Sequence, residues 1–332
     1  MALHPPYLLF LGDAADPLAA KVALGIKQWR PEYCLGQLRL PGCKADAGLP
    51  DMSIEEAVRA GANTLVVGVA NRGGVISDLW VEVLKTGLEA GMDLAAGLHN
   101  RLADAPALAE TAAQLGHALH DVRVPDRLYP VGDGKKRRGK RLLTVGSDCS
   151  CGKMYATLAL EAEMRARGLN ADFRATGQTG ILITGEGVPL DAVVADFISG
   201  AIETLTPEND PDHWDLIEGQ GSLYHPSFAG VTMGLIHGGQ PDALVLCHEP
   251  TRTHMRGLPH YAIPPLEAVM DACLAAASLT NPEVRFVGVA VNTAALSPED
   301  ATACMSEIET RLGLPTCDPV RTGVGPIVDA LT

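Results

Sequence analysis

The sequence predicts an α/β protein built from two parallel-sheet domains, and three observations carry that reading. Short apolar runs alternate with helix-period patterns along the chain, and several of those runs end in glycine-rich turns. Of the 332 residues, 47% are hydrophobic and 20% charged, enough for a sizeable core. Apolar runs bounded by turn signals read as strands buried on both faces, and their alternation with helices makes a sheet covered on both sides. The elements fall into residues 1–130, a basic linker at 131–140, and residues 141–332.

In the first half, Tyr7–Gly12 reads as a strand, and Asp16-Pro17 opens a helix that runs to about Trp29. Cys34–Leu40 is the second strand. Ser53, with Glu56 three residues on, has the form of a capping box ahead of Ala57–Ala60. Thr64–Val69 is a strand, Asp78–Ala90 a helix and Asp93–Leu98 a strand. A helix capped by Asp104, with Pro106 in its first turn, continues to Leu115. This order is Rossmann-like. Ligands of such sheets sit beyond the carboxyl ends of strands, where Ala70-Asn71-Arg72-Gly73-Gly74 and His99-Asn100-Arg101 fall. Each loop offers an arginine suited to gripping a carboxylate or serving as a surface cap. Gly12 is not followed by the rest of G-x-G-x-x-G, which argues against a nicotinamide site.

The second half opens on Tyr129–Arg141, a Pro- and Gly-containing basic run that reads as a solvated linker and, secondarily, as a steering patch for a polyanion. Leu142–Val145 is then a strand, followed by a small-residue loop, Gly152-Lys153 and a helical series at Tyr155, Leu158 and Leu160. Strand, loop, Gly-Lys and helix is the order of a phosphate-binding loop, whose amides and lysine face an anion. Ser147, Asp148, Cys149, Ser150, Cys151, Gly152, Lys153 and Met154 are the candidate cofactor-binding residues. The loop departs from G-x-x-x-x-G-K-[ST] in two ways. Counted from Gly146 it is one residue longer, and Met154 replaces the hydroxyl that would hold Mg²⁺. It therefore suits phosphate binding better than metal-dependent phosphate chemistry.

Ala171–Thr176 is a further strand, leading into a turn at Gly177-Gln178-Thr179-Gly180. Val193 to Ile202 follows, with Asp196 within it. Trp214–Ile217 places Glu218 at a strand end, where an acid faces the lysine of a phosphate loop. Ala243–Cys247 precedes the polar segment His248–Arg256, and Val284–Val291 reads as the last strand. The C-terminal domain is thus P-loop NTPase-like.

The totals exclude several classes. Net charge is −14 and aromatics are 4%, a poor match for a phosphate backbone or stacked bases, so no nucleic-acid partner is expected. Met1–Pro6 lacks Lys and Arg, and no apolar run is long enough for a signal core or a bilayer span. A cytoplasmic protein without a membrane partner is the expectation. The eight cysteines are scattered like reduced thiols, and no second Cys or His pair is spaced for zinc, so no metal is expected. The composition permits a homodimer without requiring one.

Three segments together carry a resemblance: Val145–Met154, Arg72-Gly73-Gly74 and Glu218-Gly219-Gln220-Gly221-Ser222. With them the chain resembles, over nearly its whole length, the D-glutamate N-acetyltransferase family, formerly a domain of unknown function. Its Cys-x-x-Gly-Lys-Met segment is the most distinctive part. More distantly the chain is similar to dethiobiotin synthetase and to amidotransferase-type cobyrinate synthases, which use ATP and Mg²⁺; Met154 is where it departs from them. The family resemblance implies acetyl transfer from acetyl-coenzyme A to the amine of D-glutamate. A phosphate loop without its Mg²⁺ hydroxyl suits a cofactor that is held and not cleaved at phosphorus.

Such chemistry needs a base, oxyanion stabilisation and a grip on the substrate carboxylates. Glu218 or His225 is the candidate base, with Asp196 or Asp215 orienting it. Arg72, Gly73, Arg252 and Arg256, with Gln178 and Thr179, are the candidate substrate contacts. Cys149 or Cys151 is a candidate acetyl carrier, a thiol at a helix N-terminus having a lowered pKa, although direct transfer is preferred. An ATP- and Mg²⁺-dependent ligase or kinase, with Thr157 or an acid replacing the metal hydroxyl, is the alternative. A coenzyme A-binding or nucleotide-sensing module without turnover is a third.

Overall fold

The computed structural model describes residues 3–69, 76–125 and 127–331. The chain packs as two units: residues 1–126 with 177–192, and residues 127–176 with 193–332. Each is built on one all-parallel sheet, as the alternating pattern requires.

In the first unit β1 (Tyr7–Gly12), β2 (Cys34–Arg39), β3 (Thr64–Val67), β4 (Asp93–Ala96) and β5 (Leu119–Asp121) lie in the order 2-1-3-4-5. Every residue of β1 and β3 is buried, because helices cover both sheet faces. The helix Ile54–Arg59 starts at a complete capping box. Ser53 Oγ accepts from Glu56 N–H at 3.2 Å, and the Glu56 carboxylate accepts from Ser53 N–H at 2.8 Å. Sequence order reverses at β1, between β2 and β3, where a ligand crevice would open in a fold of this kind. Here the space beside the last residue of β1 is taken by an indole. Gly12 is left-handed (φ +54°), and a Cβ on it would lie 2.5 Å from the Trp80 ring. Trp80 Nε1 donates to Asp13 at 2.9 Å, and the ring packs edge-on against Phe10. Gly12 is present to admit an indole, which agrees with the missing dinucleotide fingerprint.

The second unit carries β6 (Lys140–Gly146), β7 (Ala171–Arg174), β8 (Trp214–Ile217), β9 (Ala243–His248), β10 (Arg285–Val291) and β11 (Thr316–Cys317), in the order 11-10-9-6-8-7. β6 is central and is buried from Arg141 onward. Two arginines of the basic run are built into this unit. Arg137 donates to Thr206 O and Gly238 O, and the fully buried Arg141 donates to the carbonyls of Arg137 and Gly139. Among the described residues no helix is long and apolar enough to cross a membrane.

Three local expectations are corrected. Asp104 does not cap a helix: it ends a short 3-10 turn, Leu102–Asp104, and its carboxylate takes the Arg101 guanidinium. The helix Pro106–Leu115 begins after Ala105, without a side-chain cap. Gln178 and Thr179 open a helix, Gln178–Thr184, in place of a turn. Finally, β10 is followed by β11, whose two residues pair with it.

Gly12→Ala is expected to destabilise the protein by about 2–3 kcal/mol, combining a left-handed backbone with displacement of Trp80. Gly42→Ala, equally left-handed (φ +89°) but facing open space, is expected to lose about 1 kcal/mol. Urea unfolding of the two variants reads the difference.

Candidate functional site

Sequence order in the second sheet reverses around β6: the chain moves to β7 and β8 on one side, then to β9 on the other. The loops after β6, β8 and β9 therefore meet at one crevice. The loop after β6 turns tightly, and its glycines are where its atoms crowd. A Cβ on Gly146 would sit 2.7 Å from Cys151 Sγ and 2.8 Å from Lys153 Nζ. Ser150 (φ +52°) and Gly152 (φ +104°) are left-handed, which turns the chain into the helix Lys153–Ala166. Among the described residues, the N–H groups of Ser150, Cys151, Gly152, Lys153 and Met154 have no acceptor in the chain. Orphan amides at a helix start make a ready anion site.

Lys153 is 6% exposed. Its Nζ donates to Asp148 O at 2.8 Å and approaches Cys151 Sγ at 3.6 Å; no carboxylate of the described residues pairs with it. A buried ammonium in such surroundings is costly unless an anion joins it. The carboxylate of Asp148 is fully engaged elsewhere. It accepts from Cys149 N–H at 2.7 Å, Arg252 Nη1 at 2.6 Å and Arg256 N–H at 2.8 Å. Arg252 also donates to Cys149 O and Ser150 O and pairs with Glu249. Arg252, expected to bind substrate, instead clasps the phosphate loop to the segment after β9. Arg256 contributes its backbone to the same clasp and leaves its guanidinium exposed, without a partner among the described residues.

Ser147, at the position of the missing first glycine, is fully buried, and its hydroxyl lies 2.9 Å from His248 Nδ1. Burial lowers the His248 pKa to about 4, so the ring is neutral near pH 7. Burial likewise pushes the Cys149 thiol up to about 11. The lowered thiol pKa expected at a helix start is overridden by desolvation. Thr157, the alternative metal hydroxyl, is buried one turn into the helix, bonded to Lys153 O at 2.8 Å and to Thr144 Oγ1 at 2.9 Å. It faces the core, where its hydroxyl meets Thr144 on β6.

Glu218 follows β8 and is 5% exposed. Its carboxylate accepts from Thr176 N–H at 2.9 Å, and its carbonyl accepts from Thr176 Oγ1 at 2.6 Å. At the next residue a Cβ would lie 1.7 Å from Thr144 O and 2.8 Å from the Lys153 stem. Only glycine lets this strand end run so close to the phosphate loop. His225 is buried and packs on Phe228, 4.6 Å between ring centres. Its Nδ1 accepts from Ser227 N–H at 3.2 Å, which puts the proton of the neutral ring on Nε2. That Nε2 is buried and has no partner among the described residues. Asp148, Cys149 and His225 bring one polar atom each within 4.8 Å of one another.

Asp215 is buried against Arg174 (2.6 Å) and His213 (3.3 Å), so it does not orient His225. Asp196 is exposed on a short 3-10 helix, Ala195–Phe197. Gln178 belongs to the first unit, packed against Gly97, and Thr179 opens the same helix half-exposed. Arg72 and Gly73 lie outside the described residues. Sequence reasoning did not single out a cavity of about 370 Å³ beside Gly152, where Asn292 and residues 318–320 meet Tyr155. Its signal was weak, since β11, which brings residues 318–320 there, is only two residues long.

Residues 130–328 match a family described as a domain of unknown function (DUF1611_C), P-loop domain, and residues 38–125 match its Rossmann-like partner, DUF1611_N. The chain belongs to the DUF1611 family. Among curated relatives, a protein of Tritonibacter scottomollicae named D-glutamate N-acetyltransferase is 63% identical over 99% of both chains. One of the same name from a Pseudoalteromonas species is 49% identical, again over 99% of each. A crystal structure of a DUF1611 family protein from Anabaena variabilis superposes with a TM-score of 0.88 at 34% identity, covering 99% of each chain. The DUF1611 architecture of a Rossmann-like half and a P-loop half is that of the two sheets described above.

The His248 ring makes stability pH-dependent. Folded, it takes a proton only near pH 4; unfolded, near 6.5. The unfolded chain therefore binds more protons in that window, and stability is expected to fall as pH drops from 6.5 towards 4, by about 2–3 kcal/mol in all. Urea unfolding across this range, compared with His248→Gln, isolates the contribution: the variant should lack that part of the slope.

Proposed function

We propose that this chain is a D-glutamate N-acetyltransferase that takes its acetyl group from acetyl-coenzyme A. The observation that carries the reading is full-length identity of 63% to a protein of that name. The phosphate loop supports the donor. Its unpartnered amides, left-handed Gly152 and buried Lys153 form a cradle for a diphosphate. Met154 offers no hard ligand to Mg²⁺, and Thr157 is turned into the core.

Bound acetyl-coenzyme A would supply a thioester carbonyl able to accept an amine. Glu218 is the general base, a carboxylate already oriented by Thr176 N–H beside the loop. His225, with its proton on Nε2, serves as hydrogen-bond donor to the developing oxyanion and not as base. The exposed guanidinium of Arg256 is the described group best placed to grip a substrate carboxylate. Burial holds Cys149 as a thiol, which favours direct transfer to the amine over an acetyl-cysteine.

With D-glutamate and acetyl-coenzyme A, thiol release is expected in the presence of a metal chelator. Lys153→Ala should weaken coenzyme A binding about tenfold or more through loss of a charge-assisted contact. Glu218→Gln should lower kcat about 10²–10⁴-fold. Mg²⁺-dependent phosphate release from ATP, with no thiol release, would replace this reading by the ligase or kinase alternative.

A further inference from the structure

A cavity beside Gly152 opens on the phosphate loop and has room for a ring. It is about 370 Å³ and is lined by Cys151, Gly152, Tyr155, Asn292, Val320 and their neighbours. Its floor is continuous with the loop, since a Cβ on Gly152 would lie 3.7 Å from Asn292 Cβ. Its far wall is rigid. Asp318 Oδ2 accepts from Thr293 N–H (3.0 Å) and Thr293 Oγ1 (2.5 Å), while Oδ1 accepts from the N–H groups of Val320 and Arg321. The only acid in the wall is therefore fully engaged in holding two loops together. Val320, 60% exposed, forms an apolar lip.

One amide is left to read a ligand. Asn292 Oδ1 accepts from Ala294 N–H at 3.2 Å, and its Nδ2 has no acceptor among the described residues. An asparagine amide can accept from an exocyclic amine and donate to the adjacent ring nitrogen of adenine, and a tyrosine ring offers a stacking face. The groups suited to acyl transfer, Glu218 and His225, follow β8, whereas this cavity lies on the β10 and β11 side of the loop. A donor held at its diphosphate would thus direct its thioester to one side and its nucleoside to the other.

Resting on the acetyl-coenzyme A reading above, we infer that the cavity lined by Tyr155, Asn292 and Val320 is the binding site for the adenosine end of the donor, with Asn292 selecting the base. The site then distinguishes coenzyme A thioesters from nucleoside-free pantetheine thioesters.

Calorimetric titration provides a readout independent of turnover. ADP, which carries the adenosine and diphosphate but no thioester, is expected to bind and to compete with coenzyme A. Asn292→Ala should weaken both about fivefold or more, and GDP should bind at least tenfold less tightly than ADP to the unmodified protein. Ala294→Trp, an exposed lining position, should block the mouth and produce the same loss without touching the amide. The ratio of affinities for coenzyme A over phosphopantetheine should fall in both variants, while their unfolding midpoints report that each is folded. If coenzyme A binds and thiol release proceeds, but ADP does not compete and both folded variants bind coenzyme A as the parent does, the cavity assignment is overturned and the donor assignment stands. If coenzyme A neither binds nor releases thiol, the donor reading fails and this inference fails with it.

Discussion

A buried ammonium group that no carboxylate of the described residues pairs with is the constraint on which the second unit depends. Lys153 is held at the loop although desolvation opposes burying its charge. The structure meets the requirement through main-chain dipoles: the carbonyl of Asp148 takes one Nζ–H. Asp148 can present that carbonyl because Arg252 and the Arg256 amide fix its carboxylate. The arginine clasp and the lysine are therefore one device. A negative side chain is kept near the loop but turned away from the lysine, towards Arg252 and the Arg256 amide.

The two units show how little a shared architecture says about use. Both are parallel sheets with an order reversal, and both place a glycine at the end of a central strand. In one, Gly12 makes room for Trp80 and the strand end is plugged. In the other, Gly146 makes room for Lys153 and the strand end becomes a cradle. The residue that crosses the glycine differs: an indole in one, an ammonium in the other.

Strand positions were legible because buried parallel strands are near-continuous apolar runs, as in Leu142–Val145 and Ala243–Cys247. The phosphate loop was legible because Gly-Lys at a helix start has few other uses. Side-chain assignments that depend on contacts across the sheet were not. Asp215 lies three residues before Glu218, yet Arg174 and His213 claim it. Arg252 looks like a substrate fork until Asp148, more than a hundred residues earlier in sequence, is seen beneath it. Asp104 failed as a cap because Arg101, one turn back, offered it a stronger partner. The tautomer of His225 rests on one amide, that of Ser227, and no sequence pattern announces it.

One consequence follows from the sulfur atoms of the loop. Burial pushes the Cys149 thiol up to about 11, so it stays protonated at neutral pH. Cys247, next to the loop on β9, is likewise kept protonated by burial. A pocket that takes a thioester, as proposed above, would ordinarily risk acylating its own cysteines. Here the burial that makes the lysine demanding also keeps the Cys149 and Cys247 thiols protonated.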